Sequence, residues 1–320
     1  MKLLVVRFSD EDLAKVKSAA PAAEVEVAQD NDAVLREIAD AEIYVPGPRD
    51  PEYFARAKQL RWVHMTWAGL DHSPFLAVLD ESVVVTNSAG VFAVSIAEHA
   101  LALMLAFSRG IHFCSRWPRE KVWGGREYWK RLEPHLLELT GTTLGIVGYG
   151  GIGRAAAERA RAFGMRIIAL RRHLRSREGA ADEIWGPERL HDLLKESDYV
   201  LISCPLTRET RGLIGAREFS LMKPNAVIIN VARGAIIDEP ALIEALREGK
   251  IRGAGLDVTA QEPLPFDSPL WEMENVIITP HVAGSSPQTW KRQLDLLLEN
   301  LRRYVAGEPL LNVVDREAGY

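Results

Sequence analysis

The chain has 320 residues, of which 47% are hydrophobic, and a formal net charge of −5. This length accommodates two domains of ordinary size, and the mild negative charge excludes nucleic acid as a general partner. Two cysteines, Cys114 and Cys204, stand far apart without a paired spacing, and the opening MKLLVVRFSD lacks a signal-peptide pattern, so we expect a cytoplasmic protein without a metal site.

The N-terminal part of the chain alternates short Val-rich and Ile-rich runs with longer amphipathic stretches. This rhythm is typical of parallel sheets built from strand, helix and strand units. It predicts a small α/β lobe with five strands, near KLLVVRF, AEVEVA, AEIYVPG, LRWVHMT and VVVTNS.

The most apolar run, VFAVSIAEHALALMLAF, is interrupted by Glu98 and His99 and is at the short end of what spans a bilayer. We therefore expect a buried helix over about residues 92–108 and no membrane-spanning segment. His99 on this helix and His64 in a strand are expected to have structural roles.

A second α/β series follows the polar, aromatic segment RWPREKVWGGREYWKRLEPHL. Its strand candidates number six, enough for a complete doubly wound sheet: TLGIVGYG, RIIALRR, YVLISCPL, AVIINVARG, RGAGLDV and VIITPHVAG. The last predicted helix, over about residues 285–304, carries an apolar stripe at helical spacing that must pack on one of the two lobes: Trp290, Leu294, Leu297, Leu298 and Leu301.

Glycines 148, 150 and 153 satisfy the pattern G-x-G-x-x-G between an apolar strand and a predicted helix. In this context Gly148 permits a tight turn, Gly150 lets the backbone approach a pyrophosphate, and Gly153 lets the helix lie close to the strand. The pattern indicates a dinucleotide-binding turn, with the helix N-terminus facing the phosphates.

The second strand of this series ends on arginine rather than on the acid that would bind the ribose 2′-hydroxyl of NAD. A guanidinium instead suits a phosphate monoester, which NADP carries at that position. Arg171 and Arg172, supported by Arg175, therefore predict a preference for NADP(H), with NAD(H) as the second choice. The alternative is a solvated basic loop.

Three later segments, INVARG, LDVTAQEP and TPHVAG, place polar groups where strands of a doubly wound sheet end. They contribute Arg233, Glu262 and His281, three residue types with compatible tasks. Each of these residues alone at a strand end is more often structural, but the three together are a much more specific signal.

Together these motifs resemble the D-isomer-specific 2-hydroxyacid dehydrogenase family, in order and spacing, over most of the chain. The segments that carry the resemblance are NSAGVFAVSIAEHALALML, ELTGTTLGIVGYGGIG, SCPLTRETRGLIG, MKPNAVIINVARG, GAGLDVTAQEPLP, ITPHVAG and the WAGLDH turn. The resemblance implies reduction of a small 2-keto acid, such as glyoxylate or hydroxypyruvate, to the D-2-hydroxy acid with Arg233, Glu262 and His281 as the catalytic residues. Such a substrate needs its carboxylate held and its carbonyl polarised, which suits Arg233, and a proton delivered to oxygen as hydride reaches carbon, which suits a histidine stabilised by a glutamate.

The resemblance also implies the architecture and further contacts. A Rossmann nucleotide lobe (99–284) would be inserted into a flavodoxin-like substrate lobe (1–98 and 285–320), with the active site in the cleft. Substrate contacts are expected at Trp67, Ala68, Gly69, Arg233 and His281, and Asp257 is expected at the nicotinamide carboxamide. The other cofactor contacts expected are Gly148, Gly150, Gly151, Ile152, Gly153, Arg171, Arg172, Arg175, Cys204, Pro205, Thr210, Val231, Ala232, His281 and Gly284.

For the outer substrate pocket and for the aromatic segment, a structural role remains an alternative to the functional one. Pro46 and Arg49 would line the outer pocket, although Arg49 is equally expected to be solvated and Trp67 to belong to the core. The aromatic segment with Trp117, Trp123 and Trp129 resembles the family's dimerisation arm, with packing inside the domain as the alternative.

Two further features distinguish this sequence from some members of the family that it resembles. Ala68 stands where a phosphite-oxidising relative needs a lysine, which argues against that activity. We also expect no regulatory extension like that of some phosphoglycerate dehydrogenases, because the last predicted helix lies close to residue 320. The competing functions are a short phosphoglycerate dehydrogenase and a cofactor-sensing binding protein like the corepressors that share this scaffold.

Overall fold

The computed structural model describes residues 1–46, 50–69, 73–115, 123, 125–173 and 179–316. The chain forms two compact units. Met1–Val91 and Ser286–Tyr320 make up one, here called the N-terminal unit, and Phe92–Ser285 makes up the central unit. The first unit is thus assembled from two segments that the whole central unit separates in sequence.

The N-terminal unit is built on five parallel strands in the order β2-β1-β3-β4-β5. The strands are β1 (Lys2–Val6), β2 (Glu24–Ala28), β3 (Ile43–Val45), β4 (Trp62–His64) and β5 (Val84–Thr86). Three helices connect them: α1 (Asp10–Ala19), α2 (Asn31–Glu37) and α3 (Pro51–Arg56). All five strands expected from the sequence are present, and their order is the flavodoxin-like one.

A long C-terminal helix, α11 (Pro287–Ala306), completes this unit. The Ser286 hydroxyl oxygen accepts a hydrogen bond from the Thr289 N–H at 3.0 Å and so caps its first turn. The leucines of the predicted stripe, from Leu294 to Leu301, are buried in a cluster with Leu3 and Val5 of β1. The amphipathic pattern therefore serves to cover one face of this sheet.

The described part of the central unit forms a sheet of seven parallel strands in the order β12-β11-β10-β9-β6-β7-β8. They are β6 (Thr143–Val147), β7 (Arg166–Leu170), β8 (Glu183–Trp185), β9 (Tyr199–Ile202), β10 (Val227–Asn230), β11 (Gly253–Leu256) and β12 (Val276–Ile278). Read from β8 to β11, the strand order is that of the dinucleotide-binding fold. The predicted fold class, two α/β lobes with parallel sheets, is therefore confirmed. The sequence missed β8, a three-residue edge strand that begins with a glutamate.

The described helices of the central unit are α4 (Ala93–Ser108), α5 (Ile111–Cys114), α6 (Arg126–Leu132), α7 (Gly151–Ala162), α8 (Leu190–Glu196), α9 (Ala216–Leu221) and α10 (Glu239–Arg247). Two separate buried clusters join the sheet to its helices, whereas α5 and α6 pack on each other through Phe113 and Leu132. The apolar run expected to be a buried helix is α4, which packs on α7 through residues such as Ala97 and Met104. Among the described residues, no helix has both the length and the hydropathy that a bilayer crossing needs.

The aromatic segment before β6 exposes large side chains. Trp123 is 100% exposed and Trp129 is 57% exposed, whereas Trp117 lies outside the described residues. Packing inside the unit therefore does not account for the two described tryptophans.

Candidate active site

The glycine-rich turn joins β6 to α7 at the carboxyl edge of the central sheet. Gly148 has a positive φ of 106°, and a Cβ there would lie 2.5 Å from the backbone nitrogen of Cys204. A Cβ on Gly153 would lie 2.5 Å from the Gly148 carbonyl oxygen, whereas one on Gly150 would meet no atom within 4 Å. The turn is thus closely packed at both ends and open at Gly150, where a phosphate has room to approach the backbone.

Helix α7 begins at this open point without a capping side chain. Gly150 is its N-cap residue, and Gly151, Ile152 and Gly153 form its first turn. The first N–H groups of a helix have no intrahelical acceptor, and the helix dipole favours an anion beside them. This end of α7 therefore fits the pyrophosphate of a dinucleotide.

Arg171 follows β7, where an acid would select NAD. Its N–H donates to the Trp185 carbonyl at 2.9 Å, so pairing with β8 fixes its backbone. Its guanidinium Nη1 is buried and, among the described residues, has no hydrogen-bond partner. A buried donor without an acceptor is costly, so this atom fits an anionic group such as the 2′-phosphate of NADP.

The neighbouring arginines differ from Arg171. The Arg172 guanidinium donates from Nη2 to Oε2 of Glu209, on the loop that follows β9. Arg175 lies outside the described residues. Sequence reasoning missed Glu209 because its pairing depends on β7 and β9 flanking the same strand, β6.

The loop after β9 carries three more predicted cofactor residues. The Thr210 hydroxyl donates to the Pro205 carbonyl at 2.7 Å and accepts from the Thr207 N–H at 2.7 Å, which closes a compact turn. Burial raises the pKa of the Cys204 thiol to about 11, so this sulfur stays neutral and packs beside the glycine turn.

Arg233 lies just beyond β10, in a turn that Asn230 organises. The buried Asn230 side chain donates to the Arg233 carbonyl at 2.9 Å and accepts from the Ala232 N–H at 3.0 Å. The Arg233 guanidinium is half-buried and donates to the Ala232 carbonyl at 2.8 Å. Val231 and Ala232 are buried, so only the arginine side chain extends from this turn.

The Arg233 turn packs directly on the loop that carries Glu262. A Cβ on Gly234 would lie 2.0 Å from the carbonyl carbon and oxygen of Thr259, a separation that no side chain permits. Close contact between these two backbones, which follow the adjacent strands β10 and β11, therefore fixes the two loops against each other.

Glu262 and His281 form a hydrogen-bonded pair. The His281 Nδ1 lies 2.7 Å from Oε2 of Glu262, and Oε1 of Glu262 accepts from the Thr259 N–H at 3.2 Å. The two side chains are 45% and 36% exposed, so the ring lies at the surface of this unit. With Nδ1 donating to the carboxylate, Nε2 is the ring atom left to exchange a proton with a ligand.

Asp257 is buried, with 2% of its surface exposed. Its Oδ1 accepts from the Thr279 hydroxyl at 2.5 Å and from the Val282 N–H at 3.0 Å, while Oδ2 accepts from the Ala283 N–H at 2.9 Å. The carboxylate therefore shapes the loop around His281, an arrangement that the sequence did not predict. The adjacent Gly284 carbonyl accepts from the Ser95 hydroxyl at 3.3 Å.

The predicted substrate residues of the N-terminal unit follow β4. Trp67 is half-buried and donates from Nε1 to the Ser73 hydroxyl at 3.2 Å, and the Ala68 carbonyl accepts from the Asn87 side chain at 2.9 Å. Gly69 is the last described residue of this turn, and Pro46 is buried. Arg49 lies outside the described residues.

Comparison with known proteins identifies relatives along the whole chain. Residues 101–283 match the family described as D-isomer specific 2-hydroxyacid dehydrogenase, NAD binding domain. A glyoxylate reductase from Korarchaeum cryptofilum is 38% identical over 92% of this chain and 85% of its own length. A D-3-phosphoglycerate dehydrogenase from Methanocaldococcus jannaschii is 34% identical over 98% of this chain but 59% of its own length.

Solved structures show the same similarity. An NADPH-dependent glyoxylate/hydroxypyruvate reductase from Sinorhizobium meliloti, solved in complex with NADP and sulfate, is 28% identical. The match covers 100% of this chain and 99% of that one with a TM-score of 0.83.

Proposed function

Because this chain belongs to the D-isomer specific 2-hydroxyacid dehydrogenase family, we propose that it reduces a small 2-keto acid to the D-2-hydroxy acid with NADPH. Glyoxylate and hydroxypyruvate are the first candidates for the substrate. The reductases among its relatives, which act on these two acids according to their names, support this choice.

The observation that carries the proposal is the pair formed by Glu262 and His281. A histidine whose Nδ1 donates to a carboxylate keeps its ring orientation and holds a transferable proton at Nε2. Delivery of this proton to the keto oxygen leaves the imidazole neutral, and the hydrogen bond to the carboxylate keeps the ring in place during the transfer.

Arg233 supplies the cationic group that a keto acid needs. Its guanidinium can bind the substrate carboxylate and polarise the keto oxygen, because its donors are arranged in a planar fork. The turns after β10 and β11 are fixed to each other at Gly234, so the arginine is held on a rigid support beside the loop of Glu262. Backbone N–H groups of Ala68 and Gly69 are proposed as additional carboxylate donors, as in the family.

The cofactor proposal rests on the turn after β6 and on Arg171. When bound, NADPH supplies the hydride. The glycine turn and the first turn of α7 would hold its pyrophosphate, and the buried Nη1 of Arg171 would bind its 2′-phosphate. We also propose that Asp257 accepts a hydrogen bond from the nicotinamide carboxamide. Its carboxylate oxygens can accept this bond in addition to the three that they accept from the 279–283 loop.

We also propose a cytoplasmic homodimer. The two exposed tryptophans of the segment before β6 support self-association, because large aromatic side chains are enriched in interfaces. The free thiols of Cys114 and Cys204 are compatible with a reducing compartment. Sedimentation equilibrium of the wild type and of Trp129→Ala tests the dimer: the variant should dissociate at higher protein concentration.

The function is tested by mixing the purified protein with NADPH or NADH and a panel of 2-keto acids, while the absorbance of the reduced cofactor is followed. We expect turnover of glyoxylate and hydroxypyruvate and a higher kcat/KM with NADPH. A clear preference for NADH contradicts the cofactor assignment. Cofactor binding without turnover of any 2-keto acid points instead to a binding protein. Efficient oxidation of 3-phosphoglycerate, in a parallel assay with NAD+ or NADP+ as the hydride acceptor, points to a phosphoglycerate dehydrogenase.

A further inference from the structure

A hydrogen-bonded chain runs from helix α4 to the loop that carries His281. The His99 Nε2 lies 2.9 Å from the Thr279 hydroxyl oxygen, and that oxygen lies 2.5 Å from Oδ1 of Asp257. All three residues belong to the central unit, and the His99 side chain is 21% exposed. Sequence reasoning gave His99 no part in the reaction.

The directions of these hydrogen bonds follow from the groups involved. An ionised Asp257 can only accept, so the Thr279 hydroxyl donates its one proton to Oδ1. The Thr279 oxygen then accepts from His99, which therefore carries a proton on Nε2. The same Nε2 lies 3.6 Å from Oδ1 of Asp257, close enough for a partial positive charge to stabilise the carboxylate.

Asp257 in turn determines the backbone conformation around His281. Its carbonyl oxygen accepts from the His281 N–H at 2.8 Å, and its carboxylate accepts from the N–H groups of Val282 and Ala283. His281 itself has a φ of 53°, which is unfavourable for a residue with a Cβ. Such a conformation persists only where the surrounding contacts hold it, and here Asp257 supplies them.

We propose that His99 is a positioning residue for His281, acting through Thr279 and Asp257. This inference rests on the proposed function, in which His281 donates the proton. The bond from His99 restricts the rotation of the Thr279 hydroxyl and so keeps Oδ1 of Asp257 in place. Without it the 279–283 loop gains freedom, and the His281 ring no longer keeps its contact with Glu262.

The proposal is tested with His99→Leu and with His99→Gln, whose side-chain amide can donate to the same threonine oxygen. Loss of alignment at the proton donor should lower kcat of His99→Leu about tenfold, while KM for NADPH changes less than about twofold. His99→Gln should recover kcat to within about threefold of the wild type.

Amide hydrogen exchange of the cofactor-free protein gives a readout that needs no turnover. The peptide that covers residues 279–283 should exchange faster in His99→Leu than in the wild type and return toward the wild-type rate in His99→Gln. His191→Leu is the matched control, because it removes a histidine of the same unit that is bonded instead to Glu218, at 3.0 Å. It should leave both the exchange of this peptide and kcat unchanged.

The outcomes distinguish the positioning role of His99 from the proposed enzymatic function. Unchanged exchange in His99→Leu, an unchanged kcat, or an equal loss in His191→Leu overturns the positioning role. If the wild type reduces no 2-keto acid, the proposed function fails, and the exchange data still decide whether His99 orders the 279–283 loop.

Discussion

The His281 Nδ1 lies 2.7 Å from Oε2 of Glu262, although the two residues follow different strands, β12 and β11. Because the strands are parallel neighbours, their carboxyl ends bring the two loops together at one edge of the sheet. Because a carboxylate only accepts hydrogen bonds, Nδ1 carries a proton and donates it to this bond. The other ring nitrogen, Nε2, is then the one that can transfer a proton to a ligand. The predictions on catalysis follow from this assignment.

Replacing His281 with alanine removes the proposed proton donor but leaves the glycine turn and Arg171 unchanged. We expect kcat for 2-keto acid reduction to fall about 10²-fold to 10⁴-fold, the usual contribution of general acid catalysis. The Kd for NADPH, measured by fluorescence titration, should change less than about threefold. A kcat close to that of the wild type would rule out the acid role of His281.

Glu262→Gln keeps a hydrogen-bond acceptor beside Nδ1 but removes the negative charge. A neutral amide accepts a weaker hydrogen bond than a carboxylate does, so the His281 ring is held less firmly in the orientation needed for proton transfer. We expect kcat at neutral pH to drop about tenfold, while the Kd for NADPH changes less than about threefold.

The control for Glu262→Gln is Glu244→Gln, which removes an exposed carboxylate on α10 in the same unit. This variant should keep the wild-type kcat, because a distant exposed charge is screened by salt. If both variants lower kcat equally, the effect comes from net charge and not from the Glu262 contact.

The sequence predicted most of what local pattern controls and little of what depends on spatial neighbours. Apolar runs located eleven of the twelve strands found in the described residues, and the missing β8 is a short edge strand that lacks such a run. Motif spacing placed Arg233, Glu262 and His281 at strand ends. The contacts of Glu209 and His99 were missed because they join elements far apart in sequence, and only strand order and helix packing bring those together.

Arg171→Gln tests the cofactor preference. The change removes the charge that would face the 2′-phosphate, and a charge-assisted hydrogen bond contributes about 1.5–3 kcal/mol. We therefore expect kcat/KM for NADPH to fall about tenfold to 100-fold, while the value for NADH changes less than about threefold. Equal losses with both cofactors would show that Arg171 supports the fold near β8 and does not read the phosphate.

Glu209→Gln tests whether Arg172, the neighbour of Arg171, also contributes to NADPH binding. In the structure Glu209 pairs with the Arg172 guanidinium, so it would compete with the 2′-phosphate of a bound NADPH, and its removal leaves that cation available. Both side chains are largely exposed, so the ion pair is worth only about 0–1 kcal/mol and the gain in kcat/KM for NADPH should be about twofold to fivefold. The gain should shrink as salt is added, and kcat/KM for NADH should stay unchanged. A decrease with NADPH would contradict the competition.

His64 links stability to pH in the N-terminal unit. Its ring is fully buried, Nδ1 lies 2.8 Å from the Thr86 hydroxyl oxygen, and Nε2 has no partner among the described residues. Burial lowers the pKa of His64 to about 4, from 6.5. Between these values the unfolded chain binds the proton and the folded protein does not, so stability falls as pH drops below 6.5 and this effect levels off below about 4.

Because of this difference in proton binding, the free energy of unfolding should fall by about 2 kcal/mol when the pH is lowered from about 7 to about 5. Chemical unfolding of the wild type and of His64→Asn at both pH values measures it, because the variant lacks the titrating ring and should lose less stability on acidification. His191→Asn, at a partly exposed histidine of the central unit, is the control and should keep the wild-type dependence. If His64→Asn loses as much stability as the wild type between the two pH values, the buried ring is not the source of the acid sensitivity.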